Sequence, residues 1–234
     1  MSHSTIPEQF IENLGIMTEE TYNKIINCKI MIVGLGGLGG YLANHLVRLG
    51  VDHLKLVDYD RYTLSNLNRQ LFSSLETVGK YKAEVIKEQI YKINPKCTIE
   101  VALKNIKDID IPNKKYDYII DAVDNLDTKK YIASLGKKLN IPVLHGACAG
   151  WYGQVGWILP NCNLIEEIYG DAKKGIEEQL KNPSFTPAVV ASMMASEFVK
   201  LIQDPKKATV NRILMIDLYN NTIISNESPS SKKE

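Results

Sequence analysis

Gly34, Gly36 and Gly39 stand in the spacing G-x-G-x-x-G, with a further glycine at Gly37. Glycines so placed let a backbone turn sharply and approach a phosphate, and a helix opening there offers N–H donors and partial positive charge. Asp58 follows at about 20 residues, the distance at which a carboxylate meets ribose hydroxyls in dinucleotide sites. On these residues alone NAD is the default ligand. Beyond Asp58 come Asp60, then Ser65, Asn66, Asn68, Arg69 and Gln70, then Lys82, and later Asp121 and Asp124 with Asn125. Arg69 and Lys82 are suited to neutralising phosphate charge, and Asp124 to holding Mg²⁺ through water. A nicotinamide site needs neither two cations nor a metal-binding acid, whereas a triphosphate site uses both. ATP is therefore the expected nucleotide, with an NAD-dependent oxidoreductase as the competing reading.

Such side chains must be brought together by a framework, and the hydrophobic pattern supplies one. Lys29–Val33 is a short apolar run with β-branched residues and predicts a buried strand running into the glycine turn. Helical spacing predicts a helix over 38–49, ended by Gly50, and another over 80–94, ended by Pro95. Strands are expected at 53–58, 98–103, 116–121 and 142–146, with a helix at 126–140 between the last two. Strands alternating with helices predict an α/β fold, a Rossmann-like, doubly wound, mostly parallel sheet. Its ligand edge is the C-terminal end of the strands, where Asp121 and Asp124 fall.

The rhythm changes after Gly150. A strand is expected at 153–159, then an irregular polar excursion over 160–187. Thr186 as N-cap with Pro187 behind it predicts a helix to about Gln203. Additional strands at 212–217 and 222–225 close the C-terminal end. The expected organisation is a single domain over residues 1–225 and a disordered Ser/Lys/Glu-rich tail over 226–234. A helix at 18–27, capped by Thr18, precedes the first strand.

Composition narrows the class. The chain has 28 Lys and Arg against 27 Asp and Glu, a net charge of +1, which gives no global attraction to nucleic acid or an anionic membrane. No uninterrupted apolar run reaches the roughly 20 residues that span a bilayer, and Met1–Thr5 is no signal peptide. Cys28, Cys97, Cys148 and Cys162 lie far apart, and read as reduced thiols of a cytoplasmic protein. His45, His53 and His145 lack partner spacing and read as structural.

Taken together, Gly34 to Gly39, Val57 to Asp60, Ser65 to Gln70, Gly79 with Lys82, Asn94-Pro95 and Asp121-x-x-Asp124-Asn125 resemble the ThiF/MoeB/HesA family, bacterial relatives of ubiquitin-activating enzymes. The resemblance implies ATP·Mg²⁺ with Gly37 at the phosphates, Asp58 on the ribose, Arg69 and Lys82 on the phosphates and Asp124 near the metal. It implies a homodimer, and a small ubiquitin-like sulfur-carrier protein ending in Gly-Gly whose carboxylate is adenylated. A tRNA threonylcarbamoyladenosine dehydratase is the alternative within the same superfamily. Three departures stand out. There is no C-x-x-C pair, so no zinc site is expected. The segment Gln9–Asn13 lacks the arginine that often reaches a partner's ATP. No cysteine falls within 163–187, where an acceptor thiol would sit.

Overall fold

The computed structural model describes residues 6–172 and 180–227, and its centre is one eight-stranded sheet. The strands are β1 (Lys29–Val33), β2 (His53–Val57), β3 (Thr98–Ala102), β4 (Tyr118–Asp121), β5 (Val143–Ala149), β6 (Tyr152–Ile158), β7 (Arg212–Asp217) and β8 (Thr222–Glu227). Their spatial order is β3-β2-β1-β4-β5-β6-β7-β8. The first five are parallel neighbours, and β6, β7 and β8 add antiparallel. The mostly parallel sheet with extra C-terminal strands is thus present. The order reverses between β1 and β4, the crevice where doubly wound sheets take ligands.

Alternation along the strands builds two cores. Ile30 and Ile32 of β1 join the layer made with α1 (Glu19–Asn27), α2 (Gly37–Arg48) and α3 (Lys82–Ile93). Met31 and Val33 face the layer under α4 (Leu126–Leu139) and α5 (Leu164–Tyr169). The last helix, α6 (Phe185–Gln203), returns to the first layer through Val190, Ala191, Met194 and Phe198. It is the one described helix long and apolar enough to cross a membrane, but half of its apolar window is buried in this core. Its buried Glu197 is fully engaged, accepting from Lys200 at 2.7 Å and from the Thr209 N–H at 2.5 Å.

Some boundaries differ from the sequence reading. Thr18 caps α1 as expected, accepting from the Thr21 N–H at 3.1 Å. Thr186 does not cap α6. The helix begins at Phe185, two residues before the expected Pro187, and the Thr186 hydroxyl donates instead to the Gly150 carbonyl at 2.6 Å, tying α6 to the β5–β6 turn. The excursion contains the short helix α5, pinned by buried Leu164 and Ile165. Strand β8 runs two residues beyond Ser225 by pairing with β7. The remainder of the expected tail, 228–234, and residues 173–179 of the excursion lie outside the described residues.

Candidate nucleotide site

A cleft opens at the C-terminal ends of β1, β2 and β4, and most of the polar residues singled out in the sequence converge there. Gly34, Gly36, Gly37, Asp58, Asp60, Arg69, Lys82, Asp124 and Asn125 all line it. Gly34 makes the turn out of β1 at φ +86°, and a Cβ there would lie 2.8 Å from the Ala122 carbonyl carbon and oxygen. Only glycine lets this turn lie so close to the end of β4. Helix α2 then starts at Gly37, so its unpaired N–H groups face the cleft, a ready seat for phosphate.

Asp58 is set by the backbone. Its Oδ2 accepts from the Leu35 N–H and its Oδ1 from the Asp60 N–H, each at 2.7 Å. Burial pushes its carboxyl above the ordinary value, opposed by the nearby Lys82 and by these two donors. Asp58 also lines the cleft. Lys82 opens α3, is almost fully buried, and donates to Asp60 Oδ2 at 2.9 Å. Asp60 is therefore the counter-ion of Lys82. Arg69 is held from behind, its Nη1 donating to Ser65 O at 2.8 Å and to Asn68 Oδ1 at 2.9 Å.

Besides Asp121, four sequence candidates lie outside the cleft wall and build its frame. Asn66 forms a capping box with Thr63, and the Ser65 hydroxyl sits 2.9 Å from that of Thr63. Asn68 donates to Asn182 O at 3.0 Å, and Gly39 exists because a Cβ there would meet Gly34 O at 1.9 Å. Gln70 also lines the cleft, as do Lys104, Asn105, Lys129, Cys148 and Asn182, which no motif in the sequence marks. Lys104, just past β3, carries no motif. Lys129 reads as one more helical lysine until the fold buries it.

For a divalent cation the donor set is spare. Asp58 is committed to backbone N–H groups, Asp60 to Lys82 and Asp121 to Lys129, so that among the described cleft carboxylates Asp124 is the one not engaged in holding the scaffold. Among the described residues no cluster of three or more His, Cys, Asp or Glu forms a cage. One carboxylate beside a triphosphate fits Mg²⁺, which keeps several waters and takes the rest of its shell from phosphates. Cys28 and Cys97 are far from reactive, burial pushing each up to about 12.

A family model described as the ThiF family matches residues 10–234. The chain belongs to the ThiF family. It is 34% identical over 146 residues to the tRNA threonylcarbamoyladenosine dehydratase of Haemophilus influenzae, covering 60% of this chain and 56% of that protein. It is 29% identical over 213 residues to the sulfur carrier protein adenylyltransferase of Thermus thermophilus, covering 85% of this chain and 78% of that one. The chain spans only about half or less of several curated ThiF relatives, among them a SUMO-activating enzyme subunit of which it covers 23%. The crystal structure of Escherichia coli MccB with ATP superposes with a TM-score of 0.73 at 23% identity, over 89% of this chain and 67% of that one. That likeness establishes the ThiF-type fold.

Proposed function

We propose that the protein is an ATP·Mg²⁺-dependent adenylyltransferase that activates the C-terminal glycine carboxylate of a small ubiquitin-like sulfur-carrier protein, releasing pyrophosphate. The observation that carries this reading is the convergence of the α2 N-terminus, Arg69, Lys82 and Asp124 on one cleft. An attacking carboxylate is already ionised at neutral pH, so the reaction needs no general base. It needs alignment at the α-phosphate and stabilisation of charge spreading onto the leaving pyrophosphate. Arg69 and Lys82 supply cations there, Asp124 would hold Mg²⁺, Asp58 the ribose, and Gly37 the phosphates.

The choice of a carrier over tRNA is supported by the reach of the resemblance, which covers 85% of this chain for the carrier adenylyltransferase and 60% for the dehydratase. An exposed aromatic cluster agrees with a protein substrate. Trp151 packs on Phe185 at 4.9 Å and on Tyr219 at 5.6 Å between ring centroids, and all three are substantially exposed. In the chain Trp151 stands three residues from the cleft residue Cys148 and Phe185 two from Pro187, and an exposed aromatic patch suits a protein face. The dehydratase reading keeps its own support in the higher identity to that relative. We place the enzyme in the cytoplasm, as a homodimer.

Radiolabelled pyrophosphate exchange into ATP is the test. Exchange should depend on Mg²⁺ and on a carrier ending in Gly-Gly, and should be absent with unfractionated tRNA. Exchange or AMP release driven by tRNA would transfer the assignment to the dehydratase reading. Binding of NAD⁺ in preference to ATP, seen as the larger thermal shift, would overturn adenylation altogether.

A further inference from the structure

Behind the cleft wall lies a buried polar network that neither the glycine motif nor the cation pair explains. Asp121, at the end of β4, is 1% exposed, and Lys129 of α4 is equally buried. The Lys129 ammonium donates to both Asp121 oxygens, at 3.2 and 3.3 Å, and to the Gly146 carbonyl at 2.8 Å, which uses all three of its hydrogens. His145 on β5, with no exposed surface, brings Nδ1 to 2.7 Å from Asp121 Oδ2. Its Nε2 lies 3.3 Å from the Tyr169 hydroxyl at the end of α5. The carboxylate so held accepts in turn from the Val123 N–H, at 3.3 Å, the residue before Asp124.

We propose that His145 is a positioning residue of the nucleotide site, fixing Asp121 so that the β4–α4 turn presents Asp124 to the metal–nucleotide complex. The inference rests on the reading of Asp124 given above. Desolvating an ion pair this completely costs several kcal/mol per ion, so a hydrophobic contact would have joined β4, β5 and α4 at lower cost. What a hydrophobic contact lacks is direction. The carboxylate has one orientation because Lys129 and His145 approach it from different elements, and its hydrogen bond to Val123 transmits that orientation to the turn. Lys130, the next residue, donates to Gly170 O at 2.6 Å and Ala172 O at 3.1 Å, so the end of α5 that carries Tyr169 is itself anchored to α4.

Two substitutions separate positioning from packing. In His145→Asn the amide nitrogen falls near the Nδ1 position and keeps the bond to Asp121. In His145→Gln it falls near Nε2 and leaves Asp121 without that donor. The Gln variant should lower pyrophosphate exchange by about 10–100-fold, and the Asn variant by about threefold or less, on the usual scale for residues that orient a metal ligand. The second readout is calorimetric binding of ATP with and without Mg²⁺. The gain in affinity on adding Mg²⁺ should shrink in His145→Gln, while metal-free ATP binding stays unchanged. If the Gln protein does not fold, Tyr169→Phe removes one hydroxyl from the other end of the ring and should shrink the Mg²⁺ gain in the same sense. Equal behaviour of the two His145 variants, or an unchanged Mg²⁺ gain in whichever disrupting variant folds, overturns the proposal. Asp124→Asn runs alongside. If it abolishes the Mg²⁺ gain and His145→Gln does not, only the positioning role falls; if it also leaves the gain intact, the Asp124 reading falls first and takes the positioning role with it.

Discussion

At the scale of single residues, the site divides into groups that face the cleft and groups that hold them. Arg69 and Lys82 face it, and each is backed by acceptors, Ser65 O and Asn68 for the first and Asp60 for the second. Replacing Arg69, Lys82 or Asp124 by alanine should slow pyrophosphate exchange by at least about 100-fold, roughly 2.7 kcal/mol of transition-state stabilisation. Steady-state exchange rates on variants with unchanged circular dichroism check this, and a loss under tenfold at all three would remove the cations from the mechanism. The Asp121–Lys129 pair acts on stability instead. Burial alone would raise Asp121, but the Lys129 ammonium and His145 outweigh it and hold the carboxyl below its ordinary value. A lowered carboxyl contributes stability above the unfolded-state value and loses it as pH falls through the folded one. Lys129→Met should therefore cost about 3–5 kcal/mol at neutral pH. Its deficit against the wild type should narrow as the solution enters the carboxylate range, because a protonated Asp121 needs no counter-charge. Urea unfolding at neutral and acid pH measures both, and a deficit independent of pH would show that Lys129 acts by packing alone.

At the scale of elements, the sequence made the first half of the sheet legible for a physical reason. β-Branched runs such as Lys29–Val33 have strong local preference, and Gly50 and Pro95 punctuate the helices. What it hid were features set by partners distant in the chain. Six residues make too short a period to reveal α5, and Thr186 looked like a cap because its bond to Gly150 crosses from helix to turn. His145 read as structural, and its partners Asp121 and Tyr169, with Lys129 on the far side of Asp121, meet only when β4, β5, α4 and α5 are assembled. The glycine turn was legible, and its geometry can be tested against a matched control. Gly34 and Gly79 have nearly the same φ, +86° and +85°, but a Cβ at Gly34 strikes Ala122 while one at Gly79 meets nothing within 4 Å. Gly79→Ala should cost about 1 kcal/mol of backbone strain. Gly34→Ala should cost clearly more and also abolish ATP binding, since it pushes the α2 N-terminus away from β4. Thermal unfolding and ATP titration of the two variants check this, and equal losses would mean that the close approach to β4 is unimportant.

At the scale of the whole molecule, the question is what a second copy would contribute. Between β2 and α3 the chain exposes Leu64, Leu67, Leu71, Leu75 and Val78, with Leu75 at 77% and Leu64 at 66% of full exposure. Apolar side chains so concentrated beside the Arg69 segment suit the face of the homodimer proposed above. In that assembly an N-terminal arginine could cross to the partner's nucleotide, but the corresponding stretch here is Gln9–Asn13, a short helical turn buried through Phe10, and it holds no cation. The nucleotide cleft described here is lined by one chain's own Arg69, Lys82 and Asp124. Dimerisation should therefore act on stability and substrate docking rather than on the charge at the phosphates. Leu71→Glu combined with Leu75→Glu should convert the dimer to a monomer in analytical ultracentrifugation. Desolvating a carboxylate in each copy of a symmetric contact costs more than such an interface returns. Calorimetric ATP binding by that monomer should remain within about threefold of the wild type, under 1 kcal/mol, as expected when no binding group is lost. A monomer whose ATP affinity fell by a hundredfold would mean that the partner supplies a group to the cleft after all. A variant that stayed dimeric would move the contact to another face, with the exposed Ile223 and Ile224 of edge strand β8 the next surface to charge.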